Sequence, residues 1–135
     1  MRTALVSLLL ASSVISFAAP PCTPKVDHRK IDQIKIQNIQ KDKVNSAKEL
    51  WRLDAKVVAQ QEVVSGLVEV QYRTFTTVPV KLIKGDDRVQ VFSYEEHGKI
   101  FEITMKKPEW LLPYSGIYKM MMWVVTDVKT ICPAK

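Results

Sequence analysis

Apolar side chains recur at every second position along much of this chain. That period constrains the fold more than any other feature, because a strand turns alternate residues to opposite faces. In residues 50–59, Trp51, Leu53, Ala55, Val57 and Ala59 share one face, with Arg52, Asp54 and Lys56 opposite. Residues 67–75 set Val68, Val70 and Tyr72 against Glu69, Gln71 and Arg73, and Val78, Val80 and Leu82 alternate with Pro79 and Lys81. Residues 31–39 carry the β-branched Ile34, Ile36 and Ile39, and residues 88–94, 99–105 and 117–128 complete the set. Turn residues punctuate these stretches at Ser65-Gly66, Gly85-Asp86-Asp87, His97-Gly98 and Ser115-Gly116. Seven such segments predict an all-β fold, a sandwich or a barrel. A helix competes over residues 41–61 on propensity, where Val44, Ala47, Leu50 and Trp51 fit helical spacing. The later residues fit a period of two better, so the expectation is a short helical turn near 45–49 and strand from Trp51 onward.

The first eighteen residues read as a signal peptide. Arg2 is the positive n-region, residues 4–17 form an uncharged, mostly apolar stretch, and Ser16-Phe17-Ala18 offers small residues for cleavage after Ala18. That stretch is too short to cross roughly 30 Å of hydrocarbon, and Pro20-Pro21 ends it. The expected organisation is therefore a signal at 1–18 and one domain at 19–135, delivered to the outside or to a vacuole- or lysosome-like lumen. An oxidising route favours a disulfide between Cys22 and Cys132, the only two cysteines. Such a bond would clasp the first and last strands and close a loop worth about 4–5 kcal/mol in the chain-entropy model. His28 and His97 are the only histidines and neither neighbours a cysteine, so neither a metal nor a cofactor is expected.

Net charge is +6 over the 135 residues. It is concentrated early: residues 25–56 hold nine Lys/Arg against five Asp/Glu, around Lys25, Arg29, Lys30, Lys35, Lys41 and Lys43. A patch of this kind suits a solvated surface or an anionic membrane. Nucleic acid is not an expected partner of a secreted chain, and a monomer is expected. Catalysis finds little support. Ser93, Glu95, Glu96 and His97 are the only close group of candidates, and Glu95-Glu96-His97-Gly98 reads as a hairpin loop. No nucleophile elbow, zinc motif or phosphate-binding loop occurs.

The apolar segment WLLPYSGIYKMMMWVV, residues 110–125, is the most distinctive stretch. Read as a strand, it places Tyr118, Met120, Met122 and Val124 on one face and Ile117, Met121, Trp123 and Val125 on the other. Methionine suits an adaptable cavity. The region from Lys99 to Cys132 resembles the ML lipid-recognition family, which includes Niemann-Pick-type cholesterol carriers and fungal phosphatidylglycerol/phosphatidylinositol transfer proteins. The resemblance rests on the aromatic strand with Phe101, on Lys106-Lys107-Pro108, on Pro113-Tyr114-Ser115-Gly116, and on the strand IYKMMMWVVTD with a cysteine five residues beyond Asp127. Val78-Pro79-Val80-Lys81-Leu82 is similar to a Val-Pro-Val-Pro-Phe stretch of the family.

That likeness implies an all-β, immunoglobulin-like β-sandwich of two antiparallel sheets that part to hold a sterol, fatty acid or phospholipid. It places Leu82 where the family has a pocket-lining Phe, Trp110 and Tyr114 at the pocket mouth, and Cys22 and Cys132 where the first and last cysteines pair. The family's two short-range disulfides have no counterpart here. Tyr72, Leu82, Phe101, Trp110, Tyr114, Tyr118, Met120, Met122 and Val124 are thus the candidate pocket residues, and Lys106 and Lys107 the candidate membrane contacts. The alternative is a secreted immunoglobulin-like interaction module without a ligand cavity.

Overall fold

The computed structural model describes residues 22–64, 79–96 and 98–133. The expected signal segment, the expected strand at 67–75 with Tyr72, and His97 lie outside them. The described residues are β-rich and form one five-stranded antiparallel sheet in the order β1-β5-β4-β3-β2. Its strands are β1 (Lys25–His28), β2 (Lys81–Gly85), β3 (Val89–Glu96), β4 (Lys99–Lys106) and β5 (Val124–Ile131). The expected strands at 78–82, 88–94 and 99–105 correspond to β2, β3 and β4 within a few residues. The β2–β3 hairpin turns at Asp86, whose carboxylate accepts from the backbone N–H of Arg88 (2.8 Å) and Val89 (2.9 Å). Gly85 leads into it at φ 148°, where a Cβ would stand 2.5 Å from the Val89 carbonyl oxygen.

Three expected strands are corrected. Residues 31–39 form no strand: Gln33–Ile39 is helix α1, and its last turn widens into a π-helical turn at Gln40–Val44. Asp32 caps it, its side chain accepting from the Lys35 N–H at 3.1 Å, a contribution of about 1 kcal/mol. Ile36 and Ile39 stand one helical turn apart and pack into the core with Ile31, while Ile34 is left 71% exposed. Helical spacing decided which isoleucines could be buried.

Residues 50–59 are likewise helical, as a 3-10 turn at Leu50–Leu53 and helix α2 at Ala55–Glu62. Asp54 caps α2, accepting from the N–H groups of Lys56 and Val57. Ala55 and Ala59 of that alternation also belong, with Val58 and Val63, to an i, i+3, i+4, i+8 stripe, and all four are buried against the sheet.

The strand expected over 117–128 begins only at Val124. Before it lie a 3-10 turn at Glu109–Leu111, the short helix α3 (Leu112–Ser115) and a second 3-10 turn at Tyr118–Met120. The reason is where the backbone hydrogen bonds go. Met122 N–H donates to the Gln40 side chain (2.9 Å) and Trp123 N–H to the Arg52 carbonyl (3.0 Å), so the helical layer takes groups a strand would have offered to a neighbour.

Two cores result. The larger sets α2 and Val63, Val64 against Phe92, Tyr94, Ile103, Met105, Val125 and Val128 of the sheet. The smaller gathers Val44, Leu111, Met121, Met122 and Val124, with Ile31, Ile36 and Ile39 packed on it. Among the described residues, therefore, the layer over the sheet's core face is helical. Cys22 and Cys132 form a disulfide beside the β1–β5 pair, as their count suggested.

Candidate functional site

The register of the sheet builds the first wall of a cavity. Val89 pairs with Lys106 and Lys106 with Val124, so the three stand in one row across β3, β4 and β5. Their neighbours Met105 and Val125 point into the α2 core, which turns this row to the opposite face. Pro108 and Trp110, from the turn after β4, and Ile31, from the β1–α1 connection, complete a cavity of about 400 Å³ with Thr126. A second cavity of about 600 Å³ lies between α1 and the approach to β5. Its apolar walls are Ile31, Ile36, Ile39, Trp51, Met122, Trp123, Val124 and Val125. Ile31 and Val124 line both cavities, so the two adjoin across a shared wall.

Polar groups fix these walls in place. Arg88 pairs with Glu109 at 3.1 Å and lies over the Tyr118 ring at 4.1 Å. The Lys107 amine donates to the Tyr118 carbonyl oxygen at 3.1 Å and sits over the Trp123 ring. Burial lowers its pKa, against a smaller opposing pull from Asp87. Lys107 is therefore turned inward as part of the wall, while Lys106 is exposed. Arg52, mostly buried, is neutralised by Glu49 and Glu62 at 2.8 and 2.6 Å and stacks on Trp51. The mouth of the larger cavity is cationic: Arg29, Lys30 and Lys35 line it and, among the described residues, enter no ion pair.

Of the candidate residues read from sequence, Trp110, Met122 and Val124 meet at these cavities. Phe101 stacks on Tyr94, with ring centroids 6.3 Å apart, and lines a separate cleft with Val63 and Val128. Leu82 is half exposed on β2, paired with Phe92. Tyr114 and Met120 are half-buried in the loop before β5, and their carbonyl oxygens accept from Asn45 and Gln40. Tyr118 packs into the smaller core.

Sequence reading missed Ile31, Ile36, Ile39 and Trp51 as wall residues. The i, i+3 spacing of Ile36 and Ile39 behind an Asp cap was the signal for the first of these helices.

The polar group at the end of β3 lies elsewhere. Glu95 and Glu96 are six and seven residues beyond Val89 along the strand, roughly 20 Å from the cavity row. Among the described residues, no three His, Cys, Asp or Glu side chains gather into a group that could hold a metal ion. On the outer face His28 hydrogen-bonds to Asp127 across the β1–β5 pair. No described helix is long and apolar enough to cross a membrane. Comparison with family models, with curated proteins and with solved structures returns no match.

Proposed function

We propose that this chain is a secreted lipid-binding and transfer protein, and that it acts by holding its ligand rather than by catalysis. The observation that carries this reading is the pair of adjoining cavities, about 400 and 600 Å³, joined at Ile31 and Val124. Both volumes fall in the range of small-molecule sites; the smaller is mostly apolar, and the larger joins an apolar wall to a polar, charged one. The ligand would lie along the Ile31–Val124 wall, from the Val89–Lys106–Val124 row of the sheet toward α1. Two parted sheets, as the likeness to the ML family implies, are not required for this. That likeness, carried by residues 99–132, supports the lipid-carrying role, as does an apolar cavity beside Trp110. The Cys22–Cys132 disulfide suits an oxidising compartment, in keeping with the signal-like segment at 1–18.

The energetics require only apolar burial. Each buried methylene is worth about 0.8 kcal/mol. Micromolar affinity needs about 8 kcal/mol, on top of association costs of at least about 4 kcal/mol. Roughly fifteen buried methylenes, or a rigid ring system of similar area, would supply that.

Lipid extraction and native mass spectrometry of the purified protein test the proposal. Lipid should co-purify with the native chain and be lost from Ile31→Glu, which places a charge in the wall common to both cavities. A native chain that carries no lipid, and takes up neither fatty acid, sterol nor phospholipid from vesicles, points instead to a protein-interaction module.

A further inference from the structure

We infer that the ligand is an anionic amphiphile with one apolar chain, its head at Arg29, Lys30 and Lys35 and its chain running past Ile31 toward Trp110. This rests on the lipid-carrying reading above and assigns the chemical class of the ligand. The two cavities differ in character. The one under Trp110 is walled by Val89, Pro108, Val124 and Ile31; of its three cations Arg88 pairs with Glu109, the Lys107 amine donates to the Tyr118 carbonyl oxygen, and only Lys106 enters no ion pair among the described residues. The neighbouring cavity has an apolar side, with Ile36, Ile39 and Trp123, and a polar mouth with three cations that form no ion pair among the described residues.

Its two acids are already engaged. The Asp32 side chain caps α1 through the Lys35 N–H. Glu62 pairs with Arg52, which Glu49 also holds. Arg29, Lys30 and Lys35 against the single retained charge of Asp32 still leave a local positive surplus for something outside the chain, next to a wall that only an apolar group would cover. A carboxylate, sulfate or phosphate head on a single hydrocarbon chain satisfies both at once. Ile31 follows Arg29 and Lys30 directly in sequence, so head and chain contacts sit on consecutive residues.

Laurate and dodecanol, which share chain length and differ in head charge, separate this inference from the reading beneath it. Binding is followed by calorimetry at neutral pH with the full mature chain and with the double variant Lys30→Glu/Lys35→Glu. Both positions are exposed, and an unchanged thermal midpoint verifies that the variant folds. Laurate should bind the native chain at least about tenfold more tightly than dodecanol, and the double variant should lose most of that preference while keeping its dodecanol affinity. Added salt should weaken laurate alone in the native chain, a result that needs no variant. Equal affinity for the two, or a laurate preference that survives both charge reversal and salt, overturns the anionic-head assignment and leaves the carrier standing. Failure of both chains to bind overturns the carrier reading as well.

Discussion

Asp127 shows how a single side chain is tuned by its neighbours. Partial burial pushes its carboxyl upward. Hydrogen bonds from His28 and from the Thr126 hydroxyl, with the charges of His28 and Lys106, outweigh that and leave it below the ordinary carboxylate value. A carboxyl lowered on folding contributes stability that is fully present above its unfolded value, near 3.9. That contribution is lost as pH falls through the lower folded value. His28→Ala removes the principal lowering partner. The Asp127 titration, followed by carbon-detected NMR, should then move to higher pH, and acid unfolding should begin at higher pH than in the native chain. A carboxyl midpoint that stays where it was would show that Thr126 and Lys106 suffice. None of this was legible in the sequence. Residues 25–28 contain one apolar side chain, Val26, and it is half exposed, so β1 owes its place to backbone pairing with β5, which leaves no hydrophobic period to read.

At the scale of elements, Gln40 is the residue on which the helical layer and the loop before β5 depend. It is fully buried. Its amide nitrogen donates to the Asn45 side chain (2.9 Å) and to the Met120 carbonyl oxygen (2.7 Å), while its oxygen accepts from the Met122 N–H (2.9 Å). Asn45 extends the contact by donating to the Tyr114 carbonyl oxygen at 2.7 Å. One glutamine thereby satisfies backbone groups 80 and 82 residues away. Gln40→Leu preserves volume but strands those groups, and should cost roughly 2–4 kcal/mol, read as a shift in the urea midpoint. A loss below about 0.5 kcal/mol would mean that water replaces the amide.

The same contacts explain what sequence could and could not convey here. The hairpins β2–β3 and β3–β4 were legible because their alternation and turn residues are local. Residues 117–123 were misread because whether an apolar run becomes a strand depends on who accepts its N–H groups. A buried glutamine in a lysine-rich stretch gives no sign that it will do so. Helix α2 was obscured by a stripe in which periods of two and 3.6 coincide at Ala55 and Ala59. Trp110, Met122 and Val124 were legible as wall residues because they stood out in an apolar run, whereas the isoleucines opposite them were hidden in a segment read as strand.

At the scale of the whole molecule, the disulfide links the stability of the fold to the shape of the cavities. Cys22 and Cys132 are 110 residues apart and flank the β1–β5 pair. In the chain-entropy model a loop of this length is worth about 4–5 kcal/mol. β1 is an edge strand of four exposed residues, with little apolar burial of its own to keep it on the sheet. Three residues beyond β1 stands Ile31, the wall common to both cavities, and Arg29 and Lys30 of the cationic mouth lie between. Loosening β1 should therefore release one side of the proposed binding site before it unfolds the α2 core, whose contacts are made elsewhere. The double variant Cys22→Ser/Cys132→Ser should lose up to about 4 kcal/mol in urea unfolding. Under conditions where it is still folded by near-ultraviolet circular dichroism, its laurate affinity should fall about tenfold or more. A variant that is less stable yet binds laurate as the native chain does would separate the clasp from the site, and would show that the smaller core alone holds Ile31 in position.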